Sequence, residues 1–149
     1  MKLLNKSVLI VLCTILSAKS IAQNATTKQK LFEAYPETIS LSKIIITEAF
    51  SYNTGTSVSI NLAFNFKFAG TVISNQKKYD NLQTIMIRST ENNQSVFQIS
   101  KITNKDNSIS YAGLIINQDA ADGYVIKNNN GIYSLQKFES SKILEPCKL

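Results

Sequence analysis

The sequence has no histidine and no tryptophan, only two cysteines, five glycines and two prolines, and a single arginine, Arg88. Each shortage closes a class of chemistry. Without imidazole there is no base for a Ser-His-Asp or Cys-His arrangement. The commonest zinc ligand is also missing, and so few thiols cannot complete a thiolate cage. Five glycines, with no P-loop and no Gly-x-Gly-x-x-Gly spacing, leave no loop suited to cradling phosphate. The strongest aromatic platform for sugar stacking is absent, although six tyrosines substitute in part. No cofactor and no metal centre are expected.

Long apolar runs are also missing. The most apolar stretch, Ser7 to Leu16, has no charge and is rich in Val, Leu and Ile. It falls well short of the roughly 20 residues a membrane-spanning helix needs. Lys2 and Lys6 precede it, and Ser20 and Ala22 follow at the spacing of a signal-peptidase site. The segment therefore predicts a signal peptide over residues 1–22, cut between Ala22 and Gln23. A retained anchor is disfavoured by the short run. Lipid attachment at Cys13 is disfavoured because Leu12 stands where a small residue is usual. The expected destination is the periplasm or the outside of the cell, with no membrane span once the leader is gone.

Removing the leader changes the bulk properties. Lys2, Lys6 and Lys19 leave and no acid does, so a formal charge of +6 becomes +3. Spread over one domain with a lone arginine, this is too diffuse for nucleic-acid recognition, which uses clustered Lys and Arg. Cys13 departs too. Cys147 is then alone, so no intramolecular disulfide can form, and pairing with another chain is its only disulfide option.

The remainder reads as a polar lead-in over 23–30, one β-rich domain over 31–138 and a tail over 139–149. Leu31, Phe32 and Tyr35 before Pro36 suggest a helical turn or docking segment. Ile39 and Leu41 alternate with polar neighbours. The stretch 42–51 reads two ways. Three consecutive isoleucines suit a strand. Ser42 as a cap, with Ile45, Ile46, Ala49 and Phe50 on one face and a stop at Asn53-Thr54-Gly55, suits a short helix. Helix is the reading taken.

From Val58 onward the pattern is β. Val58, Ile60, Leu62, Phe64, Phe66 and Phe68 occupy alternate positions, with a turn expected near Ala63–Asn65 and a bulge at Gly70. Further strands are expected over 82–89, 95–103, 108–117, 123–127 and 132–138. Polar clusters at 77–81, 91–94, 104–107 and 128–131 separate them, the last with the Asn-Gly of a tight hairpin. Connections this short cannot carry crossover helices. The expected fold is thus mainly β: an antiparallel meander of about seven strands closing into a small barrel or sandwich, with one or two short N-terminal helical segments.

Candidate chemistry is sparse. Asp80, Glu91, Asp106, Asp119 and Asp122 fall in or beside expected turns, where Asp serves the backbone; a catalytic pair would require two of them to converge. The loops 104–108 and 119–123 offer oxygen ligands but not the spacing of an EF-hand. Ser17 with Lys19, and Ser141 with Lys142, have the wrong spacing for a serine–lysine hydrolase. One surface patch stands out: Lys77, Lys78, Tyr79 and Arg88, either an interaction site for an acidic partner or ordinary solvated edge residues. The combination of leader, Ala22-Gln23 junction and Asn/Lys-rich β domain resembles small exported proteins of Gram-negative bacteria, without a motif that names a family.

The expected function is that of an exported, non-enzymatic β-domain binding a partner protein or surface glycan. The alternative is an inhibitor-like or propeptide-like accessory module of an exported enzyme, with the loop from Asn117 to Gly123 as its contact.

Overall fold

A computed structural model describes residues 28–91 and 95–140. The expected leader with its Ala22-Gln23 junction, both cysteines and nearly all of the tail lie outside these described residues.

Among the described residues there are eight strands and one short helix with a full range: β1 (Thr38–Leu41), α1 (Lys43–Ala49), β2 (Ser57–Ala63), β3 (Phe66–Tyr79), β4 (Leu82–Ser89), β5 (Val96–Thr103), β6 (Ile109–Ile116), β7 (Asp122–Asn129) and β8 (Ile132–Glu139). From β2 to β8 each strand pairs antiparallel with the next, and β1 joins the far side of β8. The two outermost strands, β1 and β2, return close to one another, so the single sheet forms a nearly closed barrel. The expected mainly β meander is the observed fold, as a barrel and not a sandwich, and β1 is the strand beyond the expected seven. Its alternation is visible in the structure: Ile39 and Leu41 are buried and pair with Leu135 and Tyr133.

The helix reading of 42–51 holds. The Ser42 hydroxyl accepts the Ile44 N–H at 3.2 Å, and Ile46 and Ala49 are buried. Capping and a one-sided apolar stripe outweigh the strand preference of three isoleucines. The helix lies at one end of the barrel. Asn75 on β3 ties down the chain that leaves it, donating to the carbonyls of Phe50 at 3.0 Å and Tyr52 at 2.8 Å.

The opposite end is closed by residues 31–36, which dock instead of forming a helix. Phe32 is fully buried and meets Phe66 and Tyr124 with ring centroids 5.9 and 5.6 Å away, while Tyr35 stacks on Phe66 at 4.2 Å. Between the two plugs, Phe68, Val72, Ile85, Ile87, Phe97, Ile99, Ile115 and Leu135 fill the interior.

Two expectations about β3 change. At fourteen residues it is too long for a small barrel without coiling, and bulges between Val72 and Ser74 and between Lys77 and Tyr79 supply the bend. Gly70 is not the bulge. It sits where strands crowd, because a Cβ there would strike the Arg88 carbonyl on β4. Lys77, Lys78 and Tyr79 are also strand, and only Asp80 and Asn81 turn. Their exposure hides the alternation, but the ladder to Gln83 and Leu82 satisfies the backbone whatever the side chains are. The Asn130-Gly131 hairpin is as expected, with φ of 51° and 87°, the two left-handed residues of a type I′ turn.

Candidate functional site

Strands of a small barrel bury one face and alternate. β4, β5 and β6 depart from this rule toward the end nearest residues 31–36. Ile85-Met86-Ile87 and Leu114-Ile115-Ile116 carry apolar side chains on both faces. Ile85, Ile87 and Ile115 point inward and are fully buried. Met86, Leu114 and Ile116 therefore point outward.

The register gathers these outward residues. Arg88 pairs with Val96 and Val96 with Ile116; one step along, Met86 pairs with Gln98 and Gln98 with Leu114. Ile73 joins them from β3 beside the Val72–Ser74 bulge. Together they floor an open groove of about 800 Å³ on the outer surface of β3–β6, walled on one side by Asn117, Gln118 and Asp119. Ile116 remains 41 % exposed. The groove contains Asp119 alone among the five acids considered above. Its chemistry is that of apolar burial with polar steering at the rim.

Of the four patch residues singled out from the sequence, only Arg88 belongs to this groove. Lys77, Lys78 and Tyr79 lie at the far end of the β3–β4 hairpin. Lys77 faces Gln83, five residues from Arg88 along β4, or roughly 16 Å at strand rise. The fold thus separates Arg88 from the other three. Lys77 is paired with Asp80 at 3.0 Å, and Tyr79 is 69 % exposed.

The acids are dispersed. Asp80 and Asp106 lie at the helix end of the barrel, and Glu91, Asp119 and Asp122 at the other. Asp106 serves its own turn, accepting the Ser108 N–H at 3.0 Å and hydroxyl at 2.7 Å. These bonds hold its carboxyl below the usual range. Asp122 is buried and holds the docked segment, its two oxygens accepting the N–H groups of Leu31 at 2.7 Å and Phe32 at 3.0 Å. Lys137 holds the other side of that segment, donating to the carbonyl of Tyr35 at 2.6 Å and to Glu37 at 3.0 Å. The charged hollow formed by Lys30, Glu33, Glu37, Asp122, Lys137 and Glu139 is therefore the seat of this clasp. Among the described residues there is no group of three or more Cys, Asp or Glu positioned for a metal.

The second half of the loop from Asn117 to Gly123 does not protrude, whereas Gln118 and Asp119 are exposed. Ala120, Asp122 and Gly123 are buried, and the Ala121 N–H reaches the Gln29 carbonyl at 3.0 Å. The projecting tip is instead the β2–β3 turn, where Phe64 is fully exposed at 108 %. The turn expected near Ala63–Asn65 is observed and holds Phe64, which the alternation alone would have buried; the groove was overlooked. The broken alternation in Ile85-Met86-Ile87 and Leu114-Ile115-Ile116 was the signal that would have found it.

Comparisons with protein-family models, with curated proteins and with solved structures gave no match.

Proposed function

We propose that this chain is an exported, non-enzymatic binding domain that engages a partner protein through the groove over β3–β6. One observation carries the reading: five apolar side chains, Ile73, Met86, Val96, Leu114 and Ile116, converge on the outer face of a barrel whose interior is already filled. Apolar surface collected in this way favours association, because covering it removes it from water. Export rests on the composition of residues 1–22.

A protein partner fits better than a surface glycan. Sugar binding favours exposed aromatic faces, and among the described residues no aromatic residue lines the groove. Tyr79 is exposed but stands at the other end of the sheet from the groove.

The test is capture of partners from the native envelope and secreted fractions by the chain lacking its leader, beside its Ile116→Asp variant. Ile116 is half exposed, so the substitution leaves the core intact. The expected result is a partner whose retention falls about tenfold or more in the variant, the scale of a central interface residue. Equal retention, or no partner at all, overturns the reading.

A second reading, the inhibitor-like or propeptide-like accessory module, is favoured by Phe64, a fully exposed aromatic side chain free to enter a pocket on an enzyme. It predicts loss of the partner with Phe64→Ser and retention with Ile116→Asp.

A further inference from the structure

The groove has a polarity that narrows what it can bind. Arg88 stands on β4 at one flank, and Asp119 lies just beyond β6 at the other. Val96 and Ile116 lie between them in the same cross-strand row as Arg88. Among the described residues neither Arg88 nor Asp119 belongs to an ion pair, whereas Lys30, Lys77 and Lys137 each have a carboxylate partner. An apolar floor is thus bordered by one cation and one anion, each open to an incoming group.

We propose that the groove takes an extended segment of a partner protein in which an acidic and a basic side chain flank a central apolar one, the acid on Arg88 and the base on Asp119. This rests on the reading of the groove as the partner-binding surface and adds the partner's chemistry. The dimensions agree. β4 and β6 are two strand spacings apart, about 10 Å, and Asp119 lies further out. In an extended chain, side chains at i, i+2 and i+4 share one face and span about 13 Å. The middle side chain then rests over Val96 and Ile116. The segment crosses the strands instead of adding to an edge, so recognition comes from side chains and the backbone adds no ladder. Opposite charges at the two rims fix its orientation and reject partners of uniform sign.

Three capped peptides test this by their effect on the NMR methyl signals of Met86, Val96, Leu114 and Ile116: Glu-Thr-Leu-Thr-Lys, the same residues in reverse order, and Lys-Thr-Leu-Thr-Lys. The expected result is that one of the mixed-charge peptides binds wild type more tightly than the all-basic one. The margin is about threefold, the scale of one or two exposed charge pairs. In Arg88→Glu the preference reverses toward the all-basic peptide. Arg88 is exposed, so this change tests charge and leaves the fold alone. Equal binding of all three peptides at these methyls overturns the polarity and leaves the groove reading standing. No response to any peptide overturns the inference, and the groove reading then stands or falls with the Ile116→Asp capture.

Discussion

The Tyr133 hydroxyl on β8 accepts the backbone N–H of Tyr111 on β6 at 3.2 Å, reaching past β7, the strand between them. β6 and β7 are in register only at Leu114–Val125 and Ile115–Tyr124, so toward the helix end the two strands separate. The same hydroxyl also receives the Asn128 amide at 3.3 Å, and Thr47 of α1 meets the Tyr111 hydroxyl at 3.0 Å. A tyrosine side chain thus completes a ladder that backbone pairing leaves unfinished, and the helix locks onto it.

Tyr133→Phe removes that acceptor and leaves a buried N–H without a partner. The expected loss is about 1–3 kcal/mol of unfolding free energy, read from denaturant midpoints. Hydrogen exchange should quicken at the Tyr111 amide and remain slow at Ile115. Unchanged stability together with unchanged exchange at Tyr111 would contradict the role given to Tyr133.

Asp122→Ala releases the N–H groups of Leu31 and Phe32. Both bonds are to a charged acceptor, so a loss of about 2 kcal/mol or more is expected. The segment that Phe32 anchors should then open before the barrel does, and trypsin should cut after Lys28 or Lys30 faster than in wild type. Equal cutting rates would mean that aromatic packing holds the segment without Asp122.

Alkaline titration tests the Tyr124 plug. Burial, with the charges of Glu37 and Asp122 nearby, pushes its phenol up to about 12, and its hydroxyl donates to the Pro36 carbonyl at 2.6 Å. The unfolded chain loses this proton near pH 10 while the folded chain retains it, so unfolding releases a proton between pH 10 and 12. Stability from this group is complete below pH 10 and declines as pH rises toward 12. Tyr124→Phe should be less stable at neutral pH by about 1 kcal/mol, from the lost hydrogen bond. Its stability should fall less steeply above pH 10, and the ultraviolet phenolate titration should lose its component near 12. An unaltered titration curve would show that Tyr124 ionises with the other tyrosines.

Strand positions were legible because local signals agreed with the global fold. Val58, Ile60, Leu62, Phe66 and Phe68 alternate and are buried, and Asn130-Gly131 turns where such a pair turns best. The hidden features were those decided by distant neighbours. Phe64 continues the alternation but sits in the turn expected near Ala63–Asn65, and the bulge between Asn61 and Ala63, which was not foreseen, helps carry it out of the buried set. Lys77 to Tyr79 look like a turn because both faces of the hairpin are wet there. Asp122 looks like a turn aspartate because its partners, Leu31 and Phe32, are about ninety residues away in the chain. The groove was missed for the same reason. Ile85-Met86-Ile87 and Leu114-Ile115-Ile116 break the alternation within their own strands, but only the register from Met86 to Gln98 to Leu114 makes their outward residues one surface.

Site-specific photocrosslinking shows whether this outer surface meets a partner. A benzophenone side chain is placed at residue 116 in the groove, at 64 on the β2–β3 tip, or at 132 on the β7–β8 hairpin, and the producing cells are irradiated. Each position is exposed, so none of the three disturbs the core. A discrete adduct from residue 116 and none from 132 is the expected result. Adducts from residue 64 with none from 116 would contradict it and move the interface to the hairpin tip.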